Sequence, residues 1–272
     1  MIVHPHIDQP DEQNNRSITM KIGIIGVGNI GGTLASKLVS TGHEVRVANS
    51  KGADDVRPFA EEVGATAADA HGAVFGADLV ILSIPLPAIE KLPKNLFEGV
   101  PVHVPVVDTS NYYPGMRDPQ IAELDAGEVE SIWVSRQLGR PVIKAFNNIL
   151  AHSLAELGQP EGVVGRLAVA VAGDDADAVR LVRGIVNEVG FDPVDAGTLA
   201  ESWRQQPQTP SYCCDYDAPT MRKALAAAVK GEALRLRDQL PEAIAALGAN
   251  PSHDDIVAMN RSRSSRGQRR TV

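Results

Sequence analysis

The 272 residues of this chain predict an α/β fold built on a doubly wound parallel sheet, with a smaller α/β extension at the C-terminal side. Three observations carry that prediction. A short apolar run, Ile22 to Ile25, leads directly into glycines at positions 26, 28 and 31. Behind the glycines lie a segment with helical spacing and a second β-type run, Glu44 to Ala48, so that strand, turn, helix and strand fit within about thirty residues, the size of one βαβ unit. The later apolar runs are continuous rather than alternating, as in strands covered on both faces of a parallel sheet.

Each element of the first unit has a physical reason. Gly26 permits the tight turn out of the strand, Gly28 lets a pyrophosphate approach the backbone, and Gly31 lets helix and strand pack closely. This is the G-x-G-x-x-G spacing of a Rossmann-type dinucleotide site. The helix starts at about Ile30, carries Leu34, Leu38 and Val39 on one face and Ser36, Lys37 and Ser40 on the other, and stops at Gly42. Its unpaired N–H groups and positive dipole end would face the phosphates. At the end of the second strand an NAD site usually carries a carboxylate for the ribose 2′-hydroxyl. This chain has Asn49-Ser50-Lys51 instead. Ser50 and its neighbouring amides can donate to a phosphate, and Lys51 adds a positive charge, so the predicted cofactor is NADP(H). A polar turn with a solvated lysine is the other reading of the same three residues.

The alternation continues along the chain. Val56 to Val63 reads as a helix, Ala65 to Ala68 as a short strand and Asp69 to Phe75 as another helix. Asp78 to Ile84 is a fully apolar central strand ended by Pro85 and Pro87. Strands follow at Val104 to Asn111 and Pro141 to Phe146, then a helix ending near Gly158. Arg166 to Gly173 is a strand, and Asp174 is placed to cap a helix reaching Val189. After a strand at Phe191 to Ala196 come Leu199 to Arg204, a Pro-rich loop, and a long amphipathic helix from about Pro219 to Gln239 with Met221, Leu225, Ala228 and Leu236 inward.

These elements divide the chain into a polar, disordered leader (1–19), a dinucleotide-binding domain (20–150), a C-terminal substrate region (151–245) and a disordered basic tail (246–272). Met20 is a plausible alternative start. Arg261, Arg263, Arg266, Arg269 and Arg270 make the tail either a solvated solubility segment or a contact for an anionic partner. A net charge of −8 argues against a nucleic-acid surface on the folded part. No apolar stretch reaches the about 18 residues needed to span a bilayer, and no signal-type segment precedes the first strand, so a cytoplasmic location and no membrane partner are expected. Cys213 and Cys214, the only cysteines, are adjacent and read as reduced thiols. His4 and His6 lack further ligands, so no metal site is expected. The amphipathic 219–239 segment covers its own sheet or packs on a twin; a homodimer is the expected assembly.

In open α/β sheets ligands bind beyond the carboxyl ends of the strands. Here those ends are Gly26 to Gly31 with Asn29 and Ile30 between, Asn49 to Lys51, Ser83-Ile84-Pro85, Asp108 to Asn111 with Thr109 between, and Phe146-Asn147-Asn148. The first two take the pyrophosphate and adenosine side, and by elimination the later three line the nicotinamide.

Taken together, the glycine turn, Asn-Ser-Lys, Asp-Thr-Ser-Asn-Tyr-Tyr-Pro at 108–114, Lys-Ala-Phe-Asn-Asn-Ile at 144–149 and Glu-Ser-Trp-Arg at 201–204 resemble the coenzyme F420-dependent NADP oxidoreductases, more narrowly their bacterial NADPH-dependent F420 reductase branch. The resemblance covers about residues 20–240. It implies hydride transfer between the nicotinamide and the deazaflavin ring of coenzyme F420, a small-molecule second substrate, with both cofactors carrying the chemistry and no acid–base pair required of the protein. It further implies that Gly28, Asn29 and Ile30 hold pyrophosphate, Ser50 and Lys51 the 2′-phosphate, and Ile84, Pro85 and Ala145 the nicotinamide half. For the second substrate the candidates are His152, Trp203, Arg204, Gln205 and Tyr212. Trp203 could pack a planar ring and Arg204 could pair with an acidic tail, while a core aromatic and an ordinary helix-face histidine are the structural readings of Trp203 and His152. Three rivals remain: a related imine, ketone or ferric reductase; a hydroxyacid dehydrogenase, which Lys144-x-x-Asn147 resembles, with the lysine as general acid; and a non-catalytic NADPH-binding regulator.

Overall fold

In the computed structural model, residues 19–237 and 239–268 are described. The leader therefore lies outside the described residues except for its last position. Chain order is β1 (Lys21–Ile25), α1 (Asn29–Ser40), β2 (Glu44–Ala48), α2 (Ala53–Val63), β3 (Thr66–Ala67), α3 (Ala70–Val74) and β4 (Leu79–Leu82). A 3-10 helix (Leu86–Lys91), β5 (Val106–Asp108), α4 (Ala122–Asp125), α5 (Glu130–Leu138), β6 (Ile143–Lys144) and α6 (Ala151–Glu156) follow. Then come β7 (Ala168–Val171), α7 (Ala176–Glu188), β8 (Asp192–Asp195), a second 3-10 helix (Leu199–Gln205), α8 (Ala218–Ala227), α9 (Glu232–Arg237), α10 (Leu240–Ala245) and α11 (His253–Gln268).

Six strands form one parallel sheet in the order β3-β2-β1-β4-β5-β6. Its register aligns Ile24 with Val47 on one side and Ile81 on the other. The order reverses between β1 and β4, so a crevice opens beyond their carboxyl ends. Both faces are covered, which is why the strands are apolar throughout: β4 is buried along its length. One core joins Ile22, Ile24, Leu34 and Leu38; the other packs Val80, Leu82 and Val106 against Trp133 and Val134 of α5.

The extension is not a separate body. β7 and β8 form a parallel pair, but Lys144 and Ala172 exchange both backbone hydrogen bonds, at 2.8 and 3.0 Å, so this pair continues the main sheet with its direction reversed. Val169, Val171, Val182 and Phe191 share the core of Ile22 and Ile24. The predicted division at residue 150 thus marks a change of strand direction, not a break in packing.

Three further expectations are corrected. Asp175, not Asp174, caps α7, accepting from the amides of Asp177 and Ala178, while Asp174 accepts from Leu199. The long helix over 219–239 is broken: Ala228 leaves helical geometry at ψ 135° and Gly231 sits at φ 84°, a backbone conformation that glycine adopts without a Cβ penalty. Met221 and Leu225 of α8 are buried as expected, whereas α9 buries no residue and its Leu236 is half-buried. The basic tail is ordered through residue 268: Asn260 donates to the Cys213 carbonyl at 2.9 Å, Arg261 to Cys214 and Asp215 at 2.7 and 2.8 Å, and Arg263 to Gln208 and Leu236 at 2.8 Å each. Arg261 and Arg263 read as solvated because the groups they meet are far away in the chain, which composition does not reveal; residues 269–272 lie outside the described residues. Among the described residues no helix is long and apolar enough to cross a membrane.

Candidate active site

The glycine turn has the geometry its spacing implies. Gly26 has φ 100°, and a Cβ there would lie 2.2 Å from the Ser83 carbonyl oxygen. At Gly31 a Cβ would meet the Gly26 carbonyl oxygen at 2.0 Å, so helix and strand touch backbone to backbone. Gly28 differs: nothing lies within 4 Å of a Cβ built on it. It is the N-cap of α1, no side chain caps that helix, and its first turn holds no acid. Open space at Gly28 together with uncapped amides at Asn29 and Ile30 makes a cradle suited to an anion.

At the end of β2, Asn49 builds the turn. Its side-chain oxygen accepts from the amides of Lys51 and Gly52 at 2.9 and 3.1 Å, and its amide group donates to Asp55 at 2.7 Å. Ser50 is exposed. The Lys51 ammonium lies 3.5 Å from Asp55 and is largely solvated, so this bond is weak and the cation can be drawn to a stronger anion.

The remaining strand ends lie side by side. Thr109 N donates to the Leu82 carbonyl and Ala145 N to the Asp108 carbonyl, both at 3.2 Å, which lines up Ser83-Ile84-Pro85, Thr109 and Ala145 along one edge. Thr109, Ala145 and Phe146 are buried, and Phe146 is held at φ 60°. Asn111 donates to the Asn147 carbonyl at 2.9 Å and accepts from the Asn147 amide at 3.1 Å. That amide also donates to the Gln205 carbonyl at 2.7 Å. Beneath this amide network is a buried ion cluster. Lys144, fully enclosed, donates to Asp108 at 3.1 Å and to the Ser110 carbonyl at 2.5 Å, and Ser131 donates to the same Asp108 oxygen at 2.7 Å.

Glu130 stands 3.8 Å from Lys144, with one carboxylate oxygen buried and unbonded among the described residues. Asp108 already neutralises the lysine, so a second buried anion is surplus. Burial pushes the Glu130 carboxyl from its ordinary 4.5 up to about 7, against the opposing pull of Lys144. A pKa raised in the folded state stabilises the fold fully below the unfolded value, and that stabilisation is lost as pH rises through about 7. The thermal midpoint of the protein is therefore expected to fall between pH 5 and pH 8, by the equivalent of about 3 kcal/mol at most, and the Glu130→Gln variant to show a flatter profile over that window. A variant with the same slope would place the titration elsewhere.

The five candidates for the second substrate separate. Gln205 is fully buried and ties β6 to β7, donating to Asn147 at 2.8 Å and to the Ala170 carbonyl at 3.3 Å. Arg204 lies 4.8 Å over the Trp203 ring and bonds Glu201 and the Leu225 carbonyl at 3.4 Å each, so its guanidinium is engaged within the fold. Trp203 borders a cavity of about 260 Å³ together with Tyr112, Tyr113, Glu130 and Arg237. His152 is exposed on α6 with its ring 4.5 Å from His253 of α11. Tyr212 is buried, and its hydroxyl bonds that of Tyr113. These two tyrosines, with Arg117 and Leu150, border a second cavity of about 330 Å³ that α10 and α11 close over. Sequence reasoning reached Tyr212 but not Tyr113, Arg117 or the helical cover; Tyr113 stands within the motif at 108–114, two residues beyond Asn111. Among the described residues no cluster of His, Cys, Asp and Glu suited to a metal ion is present.

Residues 21–112 match the model of the family described as NADP oxidoreductase, coenzyme F420-dependent. The Escherichia coli K12 protein YjhV is 54% identical over 123 residues, 45% of this chain and 82% of that one. Among solved structures, SMa0349 from Sinorhizobium meliloti superposes with a TM-score of 0.57 at 30% identity, over 68% of this chain and 88% of that chain. A proposed F420-dependent NADP reductase from Arthrobacter sp. FB24 superposes with a TM-score of 0.56 at 21% identity, over 84% and 94% respectively, and at that identity shares the fold.

Proposed function

Because this chain belongs to the family of coenzyme F420-dependent NADP oxidoreductases, we propose that it passes a hydride between NADPH and the deazaflavin ring of coenzyme F420. The observation that carries the reading is the vacant approach to Gly28 before an uncapped helix, which a Cβ would fill and which suits a pyrophosphate. Gly28, Asn29 and Ile30 hold that group through backbone amides, Ser50 and Lys51 take the 2′-phosphate, and the backbone at Ile84, Pro85 and Ala145 borders the nicotinamide. Bound NADPH supplies the hydride. The protein contributes orientation and exclusion of water, which the enclosed edge from Thr109 to Phe146 provides. The hydroxyacid dehydrogenase reading is disfavoured because Lys144 is enclosed and its ammonium is committed to Asp108 and Ser110.

The test is NADPH oxidation followed at roughly 340 nm, the dihydronicotinamide band, with F420 set against FMN, a ferric complex and a panel of ketones and imines. F420-dependent decay supports the proposal; turnover with another acceptor alone, or none, overturns it. Cofactor choice has its own check. Lys51→Ala is expected to weaken NADPH about tenfold, about 1.4 kcal/mol, while leaving NADH within twofold. Equal loss for both nucleotides would move the 2′-phosphate away from Lys51.

A further inference from the structure

Resting on the reading above, we propose that the acceptor's ring system binds in the cavity of about 330 Å³ between the β5 and β6 exits and the α10–α11 cover, and that these C-terminal helices form one wall of the acceptor site.

Position is the first argument. Tyr113, Arg117 and Leu150 floor the cavity, and all three follow the strand ends assigned to the nicotinamide. Arg117 donates to the Asn111 carbonyl at 2.5 Å, and Asn111 is bonded to Asn147. The cavity thus opens beside the same edge of the sheet.

Chemistry is the second. The walls are apolar, from Leu240, Leu247, Ile256 and Met259, and the mouth is bordered by Met116 and Ile244, two of the large apolar side chains that remain exposed. Into this surface project the hydroxyls of Tyr113 and Tyr212, bonded to each other. Burial raises both phenols well above their ordinary value, so they stay protonated; one donates to the other, which leaves one O–H of the pair to donate to a ligand. Arg117 is paired with Asp118 at 2.8 Å, so it offers no free charge. Such a lining fits a flat, largely apolar ring with a carbonyl oxygen that accepts from the free O–H of the phenol pair. The volume lies near the lower end of small-molecule sites, about 300 Å³, so it takes a ring and leaves an attached polar tail outside the mouth.

Backbone strain is the third. The non-glycine residues with positive φ among those described are Phe146, Gln208, Cys213 and Asp215, all on the β6 exit or the loop beside the cavity. Conformations of that kind cost about 1–3 kcal/mol each and persist where surrounding structure imposes them. At Cys213 and Asp215 the surrounding structure is α11: Asn260 and Arg261 bind the carbonyls of Cys213, Cys214 and Asp215, and His253 lies 2.7 Å from the Asp215 carboxylate. The helix holds the loop that carries Tyr212, and so holds the phenol pair.

The test compares the unsubstituted 272-residue chain with two variants, Met259→Trp, which fills the cavity from α11, and Ile244→Arg, which charges its mouth and sits at an exposed position that tolerates substitution. Each is expected to raise the KM for F420 at least tenfold and to leave the NADPH Kd within twofold. A tailless deazaflavin carrying only the ring and ribityl chain should lose binding to the same extent. Unchanged KM for F420 in Ile244→Arg, with NADPH bound normally, overturns the cavity assignment and leaves the proposed reaction standing. Absence of F420 turnover in the unsubstituted protein removes the reaction, and this inference with it.

Discussion

Replacing Gly28 by alanine is expected to leave the fold intact and to weaken NADPH binding roughly 10- to 100-fold, about 1.4–2.8 kcal/mol. The two halves of that expectation have separate causes. In the folded chain Gly28 has φ −72° and ψ −168°, a conformation alanine adopts freely, and its Cβ would meet nothing within 4 Å. Loss of a good N-cap and gain in backbone stiffness roughly offset, leaving stability within about 1 kcal/mol. The new methyl would, however, occupy the space through which, in the proposed binding mode, a pyrophosphate reaches the amides of α1. Gly31→Ala is the contrasting variant. Its Cβ would sit 2.0 Å from the Gly26 carbonyl oxygen and 2.8 Å from the Ser83 Cβ, so strand and helix must separate, at a cost of about 3 kcal/mol or more. Thermal midpoints and NADPH fluorescence titrations on both variants check the split. Native affinity in a folded Gly28→Ala variant would show that the phosphates do not approach there.

The contrast between these two glycines also marks how far sequence reasoning reached. Spacing of residues 26, 28 and 31 assigned a distinct job to each, and the backbone distances at Gly26 and Gly31 agree with the turn and the close packing, because a turn this tight leaves few alternatives. The same holds for the apolar strands, whose burial on both faces follows from their continuity. What remained illegible depends on partners distant in the chain. Gln205 reads as a second-substrate candidate in a polar loop and is a fully buried tie between β6 and β7. Arg261 and Arg263 read as a solvated tail, yet their guanidiniums find carbonyls of residues 214, 215 and 236. Helix α5 is not among the elements assigned from the sequence, although Gly139 closes it at φ 65°, and it supplies Trp133, Ser131 and Glu130 to the interior, which no local pattern announces. Local pattern reports turns and strand burial; it does not report which polar side chain is enclosed with which.

That limit is sharpest at Lys144, where the largest stability effect is expected. Lys144→Met should destabilise the protein by about 3–5 kcal/mol. The lysine is fully enclosed, and removing its charge leaves the Asp108 carboxylate buried beside Glu130 with only the Ser131 hydroxyl and the Ser110 amide as donors. It also frees the Ser110 carbonyl, whose hydrogen bond runs at 2.5 Å to the ammonium. Neutralising the stranded partner should recover part of the loss, so Lys144→Met with Asp108→Asn is expected to be more stable than Lys144→Met alone. A general-acid lysine gives the opposite pattern: turnover nearly abolished, with stability and NADPH binding intact and no benefit from Asp108→Asn. Urea denaturation of the two variants alongside NADPH titration separates these outcomes. Because Asp108 and Lys144 sit on adjacent strands whose exits carry Asn111 and Asn147, partial unfolding should appear first as loss of the nicotinamide edge. In a Lys144→Met sample kept folded at low temperature, NADPH affinity is then expected to fall more than that of 2′,5′-ADP, which lacks the nicotinamide half and reports the adenosine side alone. Equal weakening of both ligands would mean that the damage reaches the glycine turn as well.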